Sequence, residues 1–122
     1  MRQPAIQAAR GLVDAPLENM AELWIREFAD DVEAHDDALQ EQLERDFIAA
    51  FDEAVTDLTK EYGPPVRVGQ EDDHAIAMSG VFRFAIWWIR DNELWLAAAH
   101  EDREVPFMLL MGCAYRQDDD AS

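Results

Sequence analysis

Metal and acid–base chemistry need histidine, cysteine and carboxylate side chains brought together. The chain gathers these types most densely in His100-Glu101-Asp102-Arg103-Glu104 and in Asp72-Asp73-His74. Zinc takes three or four such ligands, usually with two on one element at recognisable spacing. The three histidines, His35, His74 and His100, lie far apart and no HExxH pattern occurs. A charge-rich hairpin turn accounts for the first run without a metal. A calcium loop of the EF-hand type needs alternating oxygen ligands around a fixed glycine, and no window supplies one. No metal and no other cofactor is expected.

Nucleophilic chemistry is equally poorly supplied. Cys113 sits among Met111, Gly112 and Ala114 and reads as a small buried apolar residue. No serine occupies a Gly-x-Ser-x-Gly elbow, and the glycines at 11, 63, 69, 80 and 112 are too scattered to cradle a phosphate. With 27 Asp and Glu some carboxylate pair must lie close, so a paired-carboxylate hydrolase leaves no distinguishing mark. The residues therefore point to a protein without catalytic chemistry.

Charge is the informative property. There are 27 acidic against 10 basic residues, a net charge of −17 on 122 residues, in a chain that is nonetheless 49% hydrophobic. Disordered acidic tails lack apolar residues, so this describes a folded body with a strongly negative surface. Such a surface attracts basic proteins and repels nucleic acid phosphates and anionic lipid. A salt-adapted cytoplasm is the competing source of acidity, and it implies no partner. A lone cysteine permits no intrachain disulfide and fits a reducing compartment, so the chain is read as cytoplasmic. No stretch approaches the ~20 apolar residues of a membrane span.

Positioning any site falls to two halves with different periods. Residues 17–62 contain neither Gly nor Pro, and Leu17, Met20, Ala21, Trp24, Phe28 and Val32 form one helical stripe. Leu39, Leu43, Phe47, Phe51, Ala54, Leu58 and Tyr62 form a second. Two helices are expected, joined through the polar stretch 30–37, with a shorter one at 5–13 stopped by Asp14-Ala15-Pro16. Tyr62-Gly63-Pro64-Pro65 ends the helical half. Residues 66–74 read as a connector with at most a short strand, and 75–79, 81–89, 93–99 and 105–115 read as strands. The expectation is an α+β fold, with two or three N-terminal helices packed on a C-terminal antiparallel meander of about four strands. Residues 1–117 form one domain and 118–122 an acidic tail.

A two-residue turn at Asp91-Asn92 sets Trp88 opposite Trp95 and Trp87 opposite Leu96, leaving both sheet faces apolar. If helices cover only one face, the other presents Trp87, Leu94 and Leu96 to a partner, or to a second copy in a homodimer. The alternative is that the N-terminal helix wraps the second face and all four tryptophans are core. A second candidate surface is the acidic run with Asp30, Asp31, Glu33, Asp36 and Asp37, which would meet a basic groove; its plainer reading is a solvated helix junction.

These features together are a small acidic domain, helices before a Trp-rich meander, Tyr62-Gly63-Pro64-Pro65 followed by Trp87-Trp88 and the turn at 101–106, and one buried cysteine. That layout resembles the immunity proteins that bacteria pair with polymorphic or contact-delivered toxins. The resemblance implies tight binding to a cognate toxin domain, by blocking its active site or pinning an inactive shape. Small acidic secretion chaperones, which escort an effector along apolar patches, are the nearest competing resemblance.

Overall fold

Asp36 begins the longest element by accepting a hydrogen bond from the Leu39 N–H at 3.1 Å. From there α3 runs Asp37–Tyr62 without a breaker, burying Leu43, Phe47, Ala50, Phe51, Ala54 and Leu58 at three- and four-residue steps. Gly63 stops it in the left-handed region at φ 87°, with Pro64 behind. The computed structural model describes residues 4–14, 20–73, 76, 78–102 and 104–115. Within them α1 (Ala5–Asp14) precedes β1 (Ala21–Arg26), the single turn α2 (Asp31–Ala34), α3, and strands β2 (Arg67–Gly69), β3 (Val81–Ile89), β4 (Asn92–Ala99) and β5 (Phe107–Tyr115).

The fold is α+β, with α1 and α3 against one face of an antiparallel sheet ordered β1-β5-β4-β3-β2. Three of the four expected meander strands form as β3, β4 and β5, β2 pairs with β3 from within the expected connector, and β1 joins beside β5, so the sheet has five strands rather than four. That corrects the helix expected over residues 17–32. An extra residue in β1 between Glu22 and Trp24 shifts its register against β5. Ala21 and Trp24 then lie on the helix side three residues apart, with Leu23 also buried there. A bulge thus reproduces the spacing of a helical stripe. Leu17 lies outside the described residues, as do Ala15 and Pro16 of the expected stop and the tail at 118–122. Ile76, Met78 and Ser79 are not in a strand, contrary to the expectation for 75–79.

The β3–β4 turn falls on Arg90-Asp91, Arg90 being left-handed at φ 59°. Trp88 consequently faces Glu93, and Trp87 faces Leu94. Moving a turn by one residue moves the pairing by two, so side chains from Arg83 onward keep the face that alternation assigns them, while an irregularity between Val81 and Arg83 turns Phe82 to the helix side and Val81 to the far face.

Two apolar layers result. Under the helices, Ala85, Trp87, Leu94, Leu96, Ala98, Leu109 and Met111 meet α1 and α3. Across the sheet, Ile76, Val81, Phe84, Ile86, Trp95, Ala97, Ala99 and Leu110 form a second cluster, which among the described residues includes none from a helix. The rings on this face lie flat over glycines of the neighbouring strand. A Cβ on Gly112 would come within 2.4 Å of the Trp95 ring, and one on Gly69 within 2.5 Å of the Phe84 ring. Each pair is directly cross-strand, so the aromatic side chain roofs its own sheet. The segment between β2 and β3 completes the cover with Ile76 and Met78. It is tied down by Arg67 donating to Asp73 at 2.9 and 3.0 Å and by the Val81 N–H donating to Asp72 at 2.9 Å.

Candidate functional site

The first expected surface is not on the outside. Trp87, Leu94 and Leu96 are 1%, 0% and 0% exposed, directly beneath the helices. Trp87 also donates its indole N–H to the Gly63 carbonyl at 2.9 Å, fixing the end of α3 to the sheet. The homodimer and the escort role drawn from that patch lose their surface with it. Alternation told the two faces apart but not which one α3 would cover. The usable signal was the pairing of Trp95 with Gly112 and Phe84 with Gly69, since a ring seated on a glycine needs no helix above it. Trp88, 50% exposed, is the large aromatic side chain that the far face leaves open, and it donates to Glu93 at 3.2 Å.

Asp30, Asp31, Asp36 and Asp37 are all exposed, but two have a structural task. Asp30 accepts from the Glu33 N–H at 2.9 Å and caps α2, while Asp36 caps α3. Asp31 and Asp37 occupy the first turns, where negative charge favours the helix dipole. Within this junction the Glu33 carboxylate receives the Arg26 guanidinium at 3.0 Å and the Ala29 N–H at 2.8 Å. Those two bonds hold its carboxyl below the usual carboxylate range. Replacing Asp36 by Ala is expected to destabilise the protein by about 1 kcal/mol, read as a lower urea midpoint at unchanged slope. Asp37→Asn should move the midpoint far less.

Chemistry-bearing side chains among the described residues do not converge. Among the described residues no three of His, Cys, Asp and Glu are placed to hold a metal. Asp72 and Asp73 are engaged in tying down the β2–β3 segment, and His74 lies outside the described residues. His100 stacks on Phe107 with ring centres 3.7 Å apart. Burial pushes the Cys113 thiol up to about 11, the reverse of what a nucleophile needs. Its labelling by iodoacetamide at pH 8 is expected to be at least tenfold slower in the native protein than in urea-unfolded chain.

A different feature emerges along α3. Two adjoining hollows of about 380 and 370 Å³ lie between α3, the start of α1 and β1. Their apolar parts are Leu23, Trp24, Ala50, Ala54 and Leu109; Asp46, Glu53 and Asp57 supply carboxylates. Positions 46, 50, 53, 54 and 57 share one flank of a helix. The depression exists because Ala49, Ala50 and Ala54 are small where their neighbours are long. Trp24 is held by stacking on Phe47, with centroids 3.9 Å apart and planes 4° from parallel. Among the described residues no lysine or arginine lines either hollow. From sequence, Asp46, Glu53 and Asp57 read only as part of a solvated helix face. The strand assignment of Trp24 was needed to see them beside an aromatic ring.

Among the described residues no helix is long and apolar enough to cross a membrane. The chain matched no protein-family model, no curated protein and no solved structure with which it was compared.

Proposed function

We propose that this chain is a noncatalytic binding module for a basic protein, acting in the cytoplasm as an immunity protein that neutralises a cognate bacterial toxin. The observation that carries this reading is the segregation of charge. Residues 30–61 hold twelve Asp and Glu against Arg45 and Lys60, so ten of the seventeen excess negative charges belong to the helical layer and its entry. The far face is instead built from Phe84, Ile86, Trp95 and alanines. Acid deployed for solubility in salt has no reason to collect on one layer. A one-sided field steers a basic partner toward that side and raises the encounter rate, while buried apolar contacts slow its departure.

The test is capture from the native host lysate at 0.15 M salt, where exposed charges are screened beyond ~8 Å, followed by coexpression. One stoichiometric basic protein whose toxicity the chain relieves is the expected result. A chain that captures no basic protein and instead turns over a small metabolite overturns the proposal.

A further inference from the structure

We infer that the open edge of β2 pairs antiparallel with β2 of a second copy, joining the two sheets across a two-fold axis. This surface is distinct from the buried face of Trp87, Leu94 and Leu96, and it stands whether or not the basic-partner reading holds.

The sheet ends in β1 on one side and in β2 on the other. A terminal strand turns half of its backbone N–H and C=O groups away from the sheet, where another strand can meet them. β1 is a poor template, because a bulge between Glu22 and Trp24 breaks its register and Glu22 and Glu27 are exposed in it and just after it. β2 keeps an unbroken register with β3 and shows apolar side chains, Val68 at 63% exposure and Val66 just before it at 49%. Val68 stands opposite Ala85, on the helix side of the sheet, but α3 packs on β3, β4 and β5 and leaves it uncovered.

Charge selects the occupant. Residues 62–70 and 81–90 hold Arg67, Arg83 and Arg90 and no Asp or Glu, in a chain where 27 of 122 residues are acidic. Nearby, Glu61 is paired with Arg10 at 3.2 Å and Asp73 with Arg67 at 2.9 Å. A basic protein is therefore drawn elsewhere, and two copies of this chain repel each other least along this edge. The edge is also self-complementary. Centring the pair on Arg67 would set two guanidinium groups directly opposite, and centring it on Val66 would require ladder bonds from Pro64 and Pro65, which have no N–H. Centred on Val68, valine meets valine and each Arg67 falls opposite the second copy's Gly69. β3 and its copy then lie three strand spacings, about 14 Å, apart. The acidic helices over them face one another across more than the ~8 Å screening length at 0.15 M salt.

Sedimentation equilibrium of the full chain, over about 10 μM to 1 mM, should read a mass rising from 14.0 kDa towards twice that value. Because the copies carry like net charge, raising salt from about 0.1 to 1 M, which shortens the screening length from ~10 to ~3 Å, is expected to tighten the dimer at least threefold. Val68→Lys should weaken it at least tenfold without changing the monomer's melting temperature. Crosslinking reads the register. Val68→Cys should form an intermolecular disulfide under mild oxidation, since directly opposed strand residues lie within its Cα reach of about 4.4–6.8 Å, whereas Val66→Cys, displaced by four residues from its copy, should not. The parent chain, whose Cys113 is buried, is the control. A chain that stays monomeric at the highest concentration in both salts overturns the pairing, as does a dimer untouched by Val68→Lys or crosslinked equally through either cysteine variant. None of these outcomes bears on the capture experiment, so the two readings fail separately.

Discussion

Trp87→Ala is expected to remove about 3–5 kcal/mol of stability, the cost of deleting a large buried aromatic side chain and leaving a cavity. Two losses combine. The ring fills the layer between the sheet and α3 at 1% exposure, and its N–H is bonded to the carbonyl of the residue that stops the helix. A domain of this size is stable by only about 5–15 kcal/mol, so the variant should melt far below the parent or fail to fold. Its neighbour is the control. Trp88→Ala, at a half-exposed position on the far face, should stay within about 1 kcal/mol. Thermal melts followed by far-UV circular dichroism separate the two; if Trp88→Ala collapses while Trp87→Ala melts normally, the assignment of faces is inverted. Trp87→Phe refines the result by keeping most of the packing while deleting the bond to Gly63.

Gly80→Ala is expected to cost about 2–4 kcal/mol for a different reason. Gly80 is left-handed at φ 75°, and a Cβ there would lie 2.4 Å from the Glu101 Cα and 2.6 Å from its nitrogen. Both atoms are backbone, so no side-chain rotation relieves the clash. The strand ends must part, and that breaks the bond from the His100 N–H to the Gly80 carbonyl at 2.9 Å. The Ser79 hydroxyl, which donates to the Glu101 carboxylate across the same junction, moves with it. Amide hydrogen exchange should show protection lost first at residues 80–82 and 98–100. Unchanged protection there would mean that the loop absorbs the methyl group.

The elements that read cleanly from sequence are those in which one signal acts alone. α3 has a capping Asp36, a continuous apolar stripe and a Gly-Pro stop, and it lies where the pattern placed it. β3 is rich in β-branched and aromatic residues, β4 and β5 are short apolar runs of Leu, Ala and Met with a few aromatics, all three are flanked by turns, and they also form as expected. β1 was obscured because its bulge substitutes a three-residue spacing for strict alternation, and its partner β5 is remote in sequence. The buried face was hidden by a real symmetry, since Trp87, Leu94 and Leu96 are no more apolar than Phe84, Ile86 and Trp95. Gly69 and Gly112 broke that symmetry, but only through pairings that register decides. The groove was invisible for the same reason as β1: Trp24 reaches α3 only as a strand residue.

The position of β1 also imposes an order in time. Its partners in β5 are about 80–90 residues downstream and leave the ribosome well after it. At about 5–20 residues per second, β1 waits roughly 4–18 s for the strand it pairs with. The hairpins of the meander close over short loops and need no such delay, whereas joining β1 to β5 carries the entropy of closing a loop of about 80 residues. Trp24, and the groove it lines, is therefore completed only once β5 has been made, so a nascent chain that still lacks β5 lacks that surface even when α3 has formed.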